Sequence, residues 1–212
     1  ERAAAVVLYG VSAWYLVRGS YTVRAGETVL LYAAAGGVGS WGERWAKRRG
    51  GTVIGVVSTD EKAERAREKG CEHIIMSDNA DIAGTVRDLT GGEGVAAVYD
   101  SIGKDTFMTS LDCLRPHGVM VTFGNATGPV DPFAPAELAK RHSLSVPRPV
   151  LLDCVATPRD SPGATRESFG GMQEGAATVA VKQTYARADT AHAHIDLAHT
   201  TTTDTATPPP SH

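Results

Sequence analysis

The segment Leu30–Lys47, LLYAAAGGVGSWGERWAK, constrains the fold of this chain more than any other. An apolar run ends in small residues, a glycine turn follows, and a charged stretch with helical spacing continues from it. Ala34-Ala35-Gly36-Gly37-Val38-Gly39 fits a G-x-G-x-x-G fingerprint with alanine in the first position. In such a turn Gly36 lets the backbone approach a pyrophosphate, and Gly39 lets the helix pack closely on the strand. The N–H groups at the helix start then face the anion. The competing reading is a purely structural turn. The strand before it and the helix after it favour the dinucleotide reading. Gly37 and Gly42 have P-loop spacing, but Glu43 stands where that loop needs lysine, which excludes a P-loop NTPase. No tyrosine is followed four residues later by lysine, as the short-chain reductases require.

The strand-turn-helix unit repeats. After an opening helix over residues 2–18, the sequence predicts strands at Thr28–Ala34, Thr52–Val57, His73–Met76, Val95–Asp100 and Gly118–Phe123. Ser143–Val146 is a sixth candidate. Helices are predicted at Ser40–Arg49, over KAERAREK (residues 62–69), at Asp81–Leu89 and at Asp105–Leu114, with a short one near Pro135–Arg141. Ser58 and Glu61 have the spacing of a capping box. Alternation at these lengths implies right-handed crossovers and a parallel sheet. The expected fold class is therefore α/β, a doubly wound Rossmann sheet of about six strands in the order 3-2-1-4-5-6. Residues 1–157 form this domain. Residues 158–212 are glycine-, threonine- and proline-rich, and a poorly ordered tail is expected there.

Composition narrows the functional classes. A net charge of −3 gives no electrostatic reason to expect nucleic acid. No apolar run approaches the roughly 20 residues of a membrane span. Cys71, Cys113 and Cys154 are scattered and odd in number, which suits reduced thiols in a cytoplasmic protein. The chain opens at Glu1, without methionine, on an apolar helix, as though it continued from something earlier.

The tip of the second predicted strand reads Val57-Ser58-Thr59-Asp60-Glu61-Lys62. An acid there would bind the ribose 2′-hydroxyl of NAD. A hydroxyl with a nearby cation suits the 2′-phosphate of NADP. Ser58 and Lys62 favour NADP. Asp60 serves either NAD or the helix N-terminus, and Lys62 also reads as a solvated helix face.

With these segments in order, the chain resembles the NADPH:quinone oxidoreductases, the zeta-crystallin-like branch of the medium-chain dehydrogenase/reductase superfamily. The motifs are LLYAAAGGVGSW, VVSTDEKAERAREKGC, VYDSIGKDTFMTSLDCLRPHGVMVTFGNATGPV and the run Ser143–Pro149. The likeness extends more thinly to Gln183–His194. It implies NADPH as cofactor and a quinone as hydride acceptor, without metal. By resemblance Ser12 touches the cofactor from the first helix, and Ala35, Gly36, Gly37, Val38 and Gly39 cradle the pyrophosphate. Ser58 and Lys62 take the 2′-phosphate, Thr59 is a cofactor contact between them, and Ser77 holds the position of a family tyrosine near the adenine. Ser101 lies at the fourth strand's tip. Phe123, Gly124 and Asn125 lie at the fifth strand's tip, beside the nicotinamide, and Arg148-Pro149 borders the nicotinamide or a dimer contact. The resemblance implies a homodimer formed by extending the sheet through its last strand, and no membrane or nucleic-acid partner. The family's N-terminal GroES-like barrel has no counterpart in the sequence, so the isolated chain is expected to reduce quinone poorly. Non-catalytic NADPH binding, in a structural or sensing role, and the reduction of enoyl or enone substrates are the alternatives. Ser40, Trp41, Glu43 and Arg44 depart from the family's smaller or apolar residues, Pro147 replaces a threonine, and DTATPPP replaces the closing strand.

The remaining candidates are weaker. His192, His194 and His199 can be written as a metal cluster, but His194 matches an ordinary family helix. Cys113, Phe107, Met120 and the Trp41/Trp45 pair read as packing. Asp100 at a strand tip reads as a turn or cap residue.

Overall fold

The computed structural model describes residues 2–154, 183–198 and 206–207. The first helix, α1, spans Arg2–Tyr15 and runs into a π-helical turn at Leu16–Ser20. Five strands follow: β1 Thr28–Tyr32, β2 Thr52–Val57, β3 His73–Met76, β4 Val95–Asp100 and β5 Leu114–Thr122. The helices between them are α2 Gly37–Arg48, α3 Asp60–Lys69, α4 Ile82–Leu89 and α5 Phe107–Asp112. The sheet order is β3-β2-β1-β4-β5, every pair is parallel, and the doubly wound α/β fold is the one expected.

The period of two along each strand divides the core into two layers. Val29 and Leu31 face one cluster with Val53, Val57, Ala97, Tyr99 and Val121. Leu30 and Tyr32 face the other with Ile54, Val56, Val98, Met120 and Leu111. Both faces are covered by helices, as a parallel sheet requires.

Four boundaries differ from the sequence reading. The sheet has five strands. The sixth position is held by the segment around Ser145, which makes a single parallel bridge to Val119 and the bonds Met120 N–H to Ser145 O (2.9 Å) and Thr122 N–H to Pro147 O (3.2 Å). Positive φ at His142 and Ser143 and the proline at 147 stop that segment from forming a full ladder. Second, Leu114 belongs to β5, not to the preceding helix, because Cys113 ends α5 and the strand begins at once. Third, α2 begins at Gly37, inside the glycine turn. Fourth, Thr59, not Ser58, caps α3: its side chain accepts from Lys62 N–H at 3.3 Å. Ser58 is thereby left to bond elsewhere.

Opposite the glycine turn, at the N-terminal ends of the strands, Glu27 ties β1 to β5. It accepts from Tyr21 Oη at 2.9 Å and pairs with Arg115 at 2.7 Å. The segment expected to be poorly ordered falls largely outside the described residues. Within it, Gln183–Thr184 and Ala206–Thr207 pair in parallel, and a helix spans Thr190–Ala198.

Candidate functional site

The glycine turn leaves the C-terminal end of β1, in the middle of the sheet, where the crossovers to β2 and β4 depart on opposite sides. This is where a doubly wound sheet opens a crevice. Ala33, in the left-handed region at φ 50, turns the chain sharply out of the strand, and Gly36 N–H returns to Ala33 O at 2.9 Å. Ser40 N–H to Gly36 O is the first bond of the α2 ladder. The N–H groups of Gly37, Val38 and Gly39 precede it and have no backbone acceptor among the described residues.

The glycines are required by space. A Cβ on Gly39 would lie 2.7 Å from Ala34 O and overlap Ala33 O as well. A Cβ on Gly37 would lie 2.9 Å from three ring atoms of Tyr9 on α1. The two glycines therefore bring α2 against β1 and α1 against α2. Ala35 is buried beneath the turn, and Gly36 is exposed at its crest.

Ser58 and Lys62 meet at the adjoining tip of β2, where Lys62 Nζ donates to Ser58 Oγ at 2.8 Å. Both are exposed, and Ala34 N–H bonds Val56 O at 3.2 Å, so this pair stands beside the glycine turn. Ser77 is exposed one strand further on, its N–H bonded to Val57 O at 2.7 Å. Thr59 lies in the same tip but spends its hydroxyl on the α3 cap. Asp60 opens α3, where its charge favours the helix N-terminus.

On the other side, the tips of β4 and β5 are bound to each other. Phe123 N–H donates to Asp100 O at 2.8 Å, and Gly124 sits so close to Ser101 O that a Cβ there would overlap it. Asp100, fully buried, accepts from Ile102 N–H, Gly103 N–H, Thr106 Oγ1 and Ser110 Oγ at 2.7–3.1 Å. Its acceptor capacity goes into holding this loop, which makes it a structural anchor. Arg148 Nη1 donates to Thr122 Oγ1 and to Gly124 O, both at 3.1 Å, so the guanidinium clamps the residues flanking Phe123. Asn125 is exposed beside it.

A small cleft of about 80 Å³ joins Ser12 and Tyr15 of α1 to Phe123 and Pro149. Residues that the sequence placed on one side of the cofactor thus converge from three separate segments. A larger cleft of about 420 Å³ lies beyond Thr122 and Asn125, walled by Phe107, Val130, Phe133 and Leu138.

Sequence reasoning missed the parts played by Tyr9 and Glu43, and it placed Arg148 at the rim without its bond to Thr122. Tyr9 covers the glycine turn. Arg148 acts through Thr122 as well as at the rim. Glu43 is fully buried in α2, directly behind the turn, and neither carboxylate oxygen has a hydrogen-bond partner among the described residues. Burial pushes its carboxyl up to about 7, against the opposing influence of Cys71, Lys69 and Arg44. Its position in a P-loop-like spacing was visible, but its burial was not.

No group of three or more His, Cys, Asp or Glu side chains among the described residues could hold a metal ion. His192 instead faces Asp196 at 3.6 Å, and His199 lies outside the described residues. Cys71 and Cys113 are free and buried. No helix among the described residues is long and apolar enough to cross a membrane.

Residues 37–159 match the family model described as zinc-binding dehydrogenase. The chain is 44% identical over 96% of its length to a quinone oxidoreductase of Pseudomonas aeruginosa, and covers 62% of that protein. It is 43% identical over 90% of its length to a 2-haloacrylate reductase of a Burkholderia species, and covers 58% of it. The crystal structure of Escherichia coli quinone oxidoreductase complexed with NADPH superposes with a TM-score of 0.93 at 37% identity, over 99% of this chain and 65% of that one. The chain thus spans about three-fifths of the length of these relatives. The family's description implies zinc, but the described residues offer no donor set for it.

Proposed function

The chain belongs to the zinc-binding dehydrogenase family, and from that premise we propose that it is the NADPH-binding part of a zeta-crystallin-like quinone oxidoreductase. The observation that carries the reading is the 2.8 Å pair of Lys62 and Ser58 beside the glycine turn. The pair serves the 2′-phosphate and the glycine turn the pyrophosphate, the two places where NADP differs from and agrees with NAD. Relatives named as quinone oxidoreductases, and one solved with NADPH, support it.

The residues present fit this cofactor. The amides of Gly37, Val38 and Gly39 have no backbone acceptor among the described residues, and the cleft at Ser12, Phe123 and Pro149 lies where the nicotinamide end would extend. When bound, NADPH supplies the hydride. The chain's own part is to hold it: Lys62 and Ser58 fix one end, the α2 amides its centre, and Arg148 keeps Phe123 and Gly124 in place at the other. Positioning and the exclusion of water are the catalytic contribution of such a domain. No step is assigned to zinc. The remaining wall of the acceptor site, a homodimer through the edge at Ser143–Val146, and a cytoplasmic setting belong to the same proposal.

The test is steady-state NADPH oxidation by the whole protein with a panel of small quinones and with 2-haloacrylate as a separate arm. Faster turnover with quinones supports the reading. Preference for the haloacrylate assigns the acceptor to the α,β-unsaturated acyl class, and NADPH binding without turnover on either leaves only the non-catalytic alternative.

A further inference from the structure

The glycine turn is not open on all sides. Helix α1 crosses the start of α2, with Ala13 and Trp41 buried together and Tyr9, Val38 and Trp45 packed around them. Tyr9 is half-buried, and its ring rests on the backbone of Gly37. The ring atoms Cδ2, Cε2 and Cζ would each stand 2.9 Å from a Cβ at that position. The edge of the ring that carries the hydroxyl is therefore the edge that touches Gly37. Gly37 N–H is the first of the three amides left without a backbone acceptor. The Tyr9 hydroxyl likewise takes no partner among the described residues. A tyrosine so placed has an apolar body in a packed layer and a polar tip at a wet edge.

We propose that Tyr9 is a cofactor-binding residue, its phenol donating a hydrogen bond to the pyrophosphate held over the Gly37–Gly39 amides. The inference rests on the dinucleotide reading of the site. It adds a neutral donor from α1 to the α2 amides and makes α1 part of the phosphate cradle. The same contact explains why position 37 must be glycine while Tyr9 is present: the ring occupies the space of any side chain there.

Tyr9→Phe separates the hydroxyl from the packing, since the ring stays on Gly37. Binding is read by titration of the 212-residue chain with NADPH, with NADH and with adenosine 2′-monophosphate, which carries the 2′-phosphate but no pyrophosphate. The expected result is a rise of about ten-fold in Kd for both dinucleotides, the size of a lost hydrogen bond to a charged group, with the monophosphate unchanged. A melting temperature equal to that of the unsubstituted chain accompanies it. Unchanged dinucleotide affinity overturns the proposal, and so does an equal loss for the monophosphate, which would mark a general disturbance. Failure of the unsubstituted chain to bind either dinucleotide would instead sink the cofactor reading itself.

Discussion

Lys62 Nζ lies 2.8 Å from Ser58 Oγ, one helical turn away, because Thr59 rather than Ser58 caps α3. The cap leaves the serine hydroxyl at the strand tip and the lysine above it. A phosphate entering there meets one donor that is charged and one that is not. Lys62→Ala is expected to weaken NADPH binding by roughly 1.5–3 kcal/mol, as for a hydrogen bond to a charged group, and to leave NADH almost unchanged. Isothermal titration with both cofactors checks it; equal losses would refute the assignment.

Gly39 has no room for a side chain. Its Cβ would press on the carbonyl oxygens of Ala33 and Ala34, which are backbone and cannot swing aside. Gly39→Ala is therefore expected to destabilise the fold by about 3 kcal/mol, at the upper end of overpacking costs, with a lower midpoint in urea. A midpoint equal to the parent's would show that the close contact of α2 with β1 is not required.

Asp100 holds four donors at the end of β4. Asp100→Ala leaves the amide N–H groups of Ile102 and Gly103 and two hydroxyls without it and is expected to cost about 3 kcal/mol. Asp100→Asn should cost less, because the hydroxyls of Thr106 and Ser110 can turn to accept from the new amide. Equal losses in chemical denaturation would contradict this division of roles.

Glu43 predicts a pH dependence of opposite sign to that of an ordinary salt-bridged carboxylate. Its folded-state value is raised to about 7 by burial, while the unfolded chain titrates near the usual 4.5. Between those values the folded state holds the proton more tightly, so stability falls as pH rises from about 4.5 and levels off above about 7. The full difference is about 3 kcal/mol. Cys71, Lys69 and Arg44 face the carboxyl and temper the rise. Glu43→Gln should remove that slope and be more stable than the parent at pH 8. A slope that survives the substitution would assign it to other groups.

The parallel α/β order was legible because the strands are short apolar runs separated by caps and glycines. The glycine turn, Ser58 with Lys62, and Phe123 with Gly124 were legible as motifs. Tyr9 was not: its contact with Gly37 depends on how α1 crosses α2, which no local pattern records. The sixth strand was over-read, since Ser143–Val146 has strand composition but its backbone at His142 and Ser143 is left-handed. Capping was assigned one residue early, because Ser58 and Thr59 are both good caps and the strand end decides between them. Glu43 stood out as a departure from the family's smaller or apolar residues, and its burial comes from the packing of α2 against β2 and α3.

NADPH recognition is tested by a paired titration of the unsubstituted chain with NADPH and NADH at one ionic strength. Saturable binding of NADPH at least about ten-fold tighter than that of NADH is expected, the share of a 2′-phosphate held by Lys62 and Ser58. Equal affinity for the two, or no saturable binding of either, would contradict it.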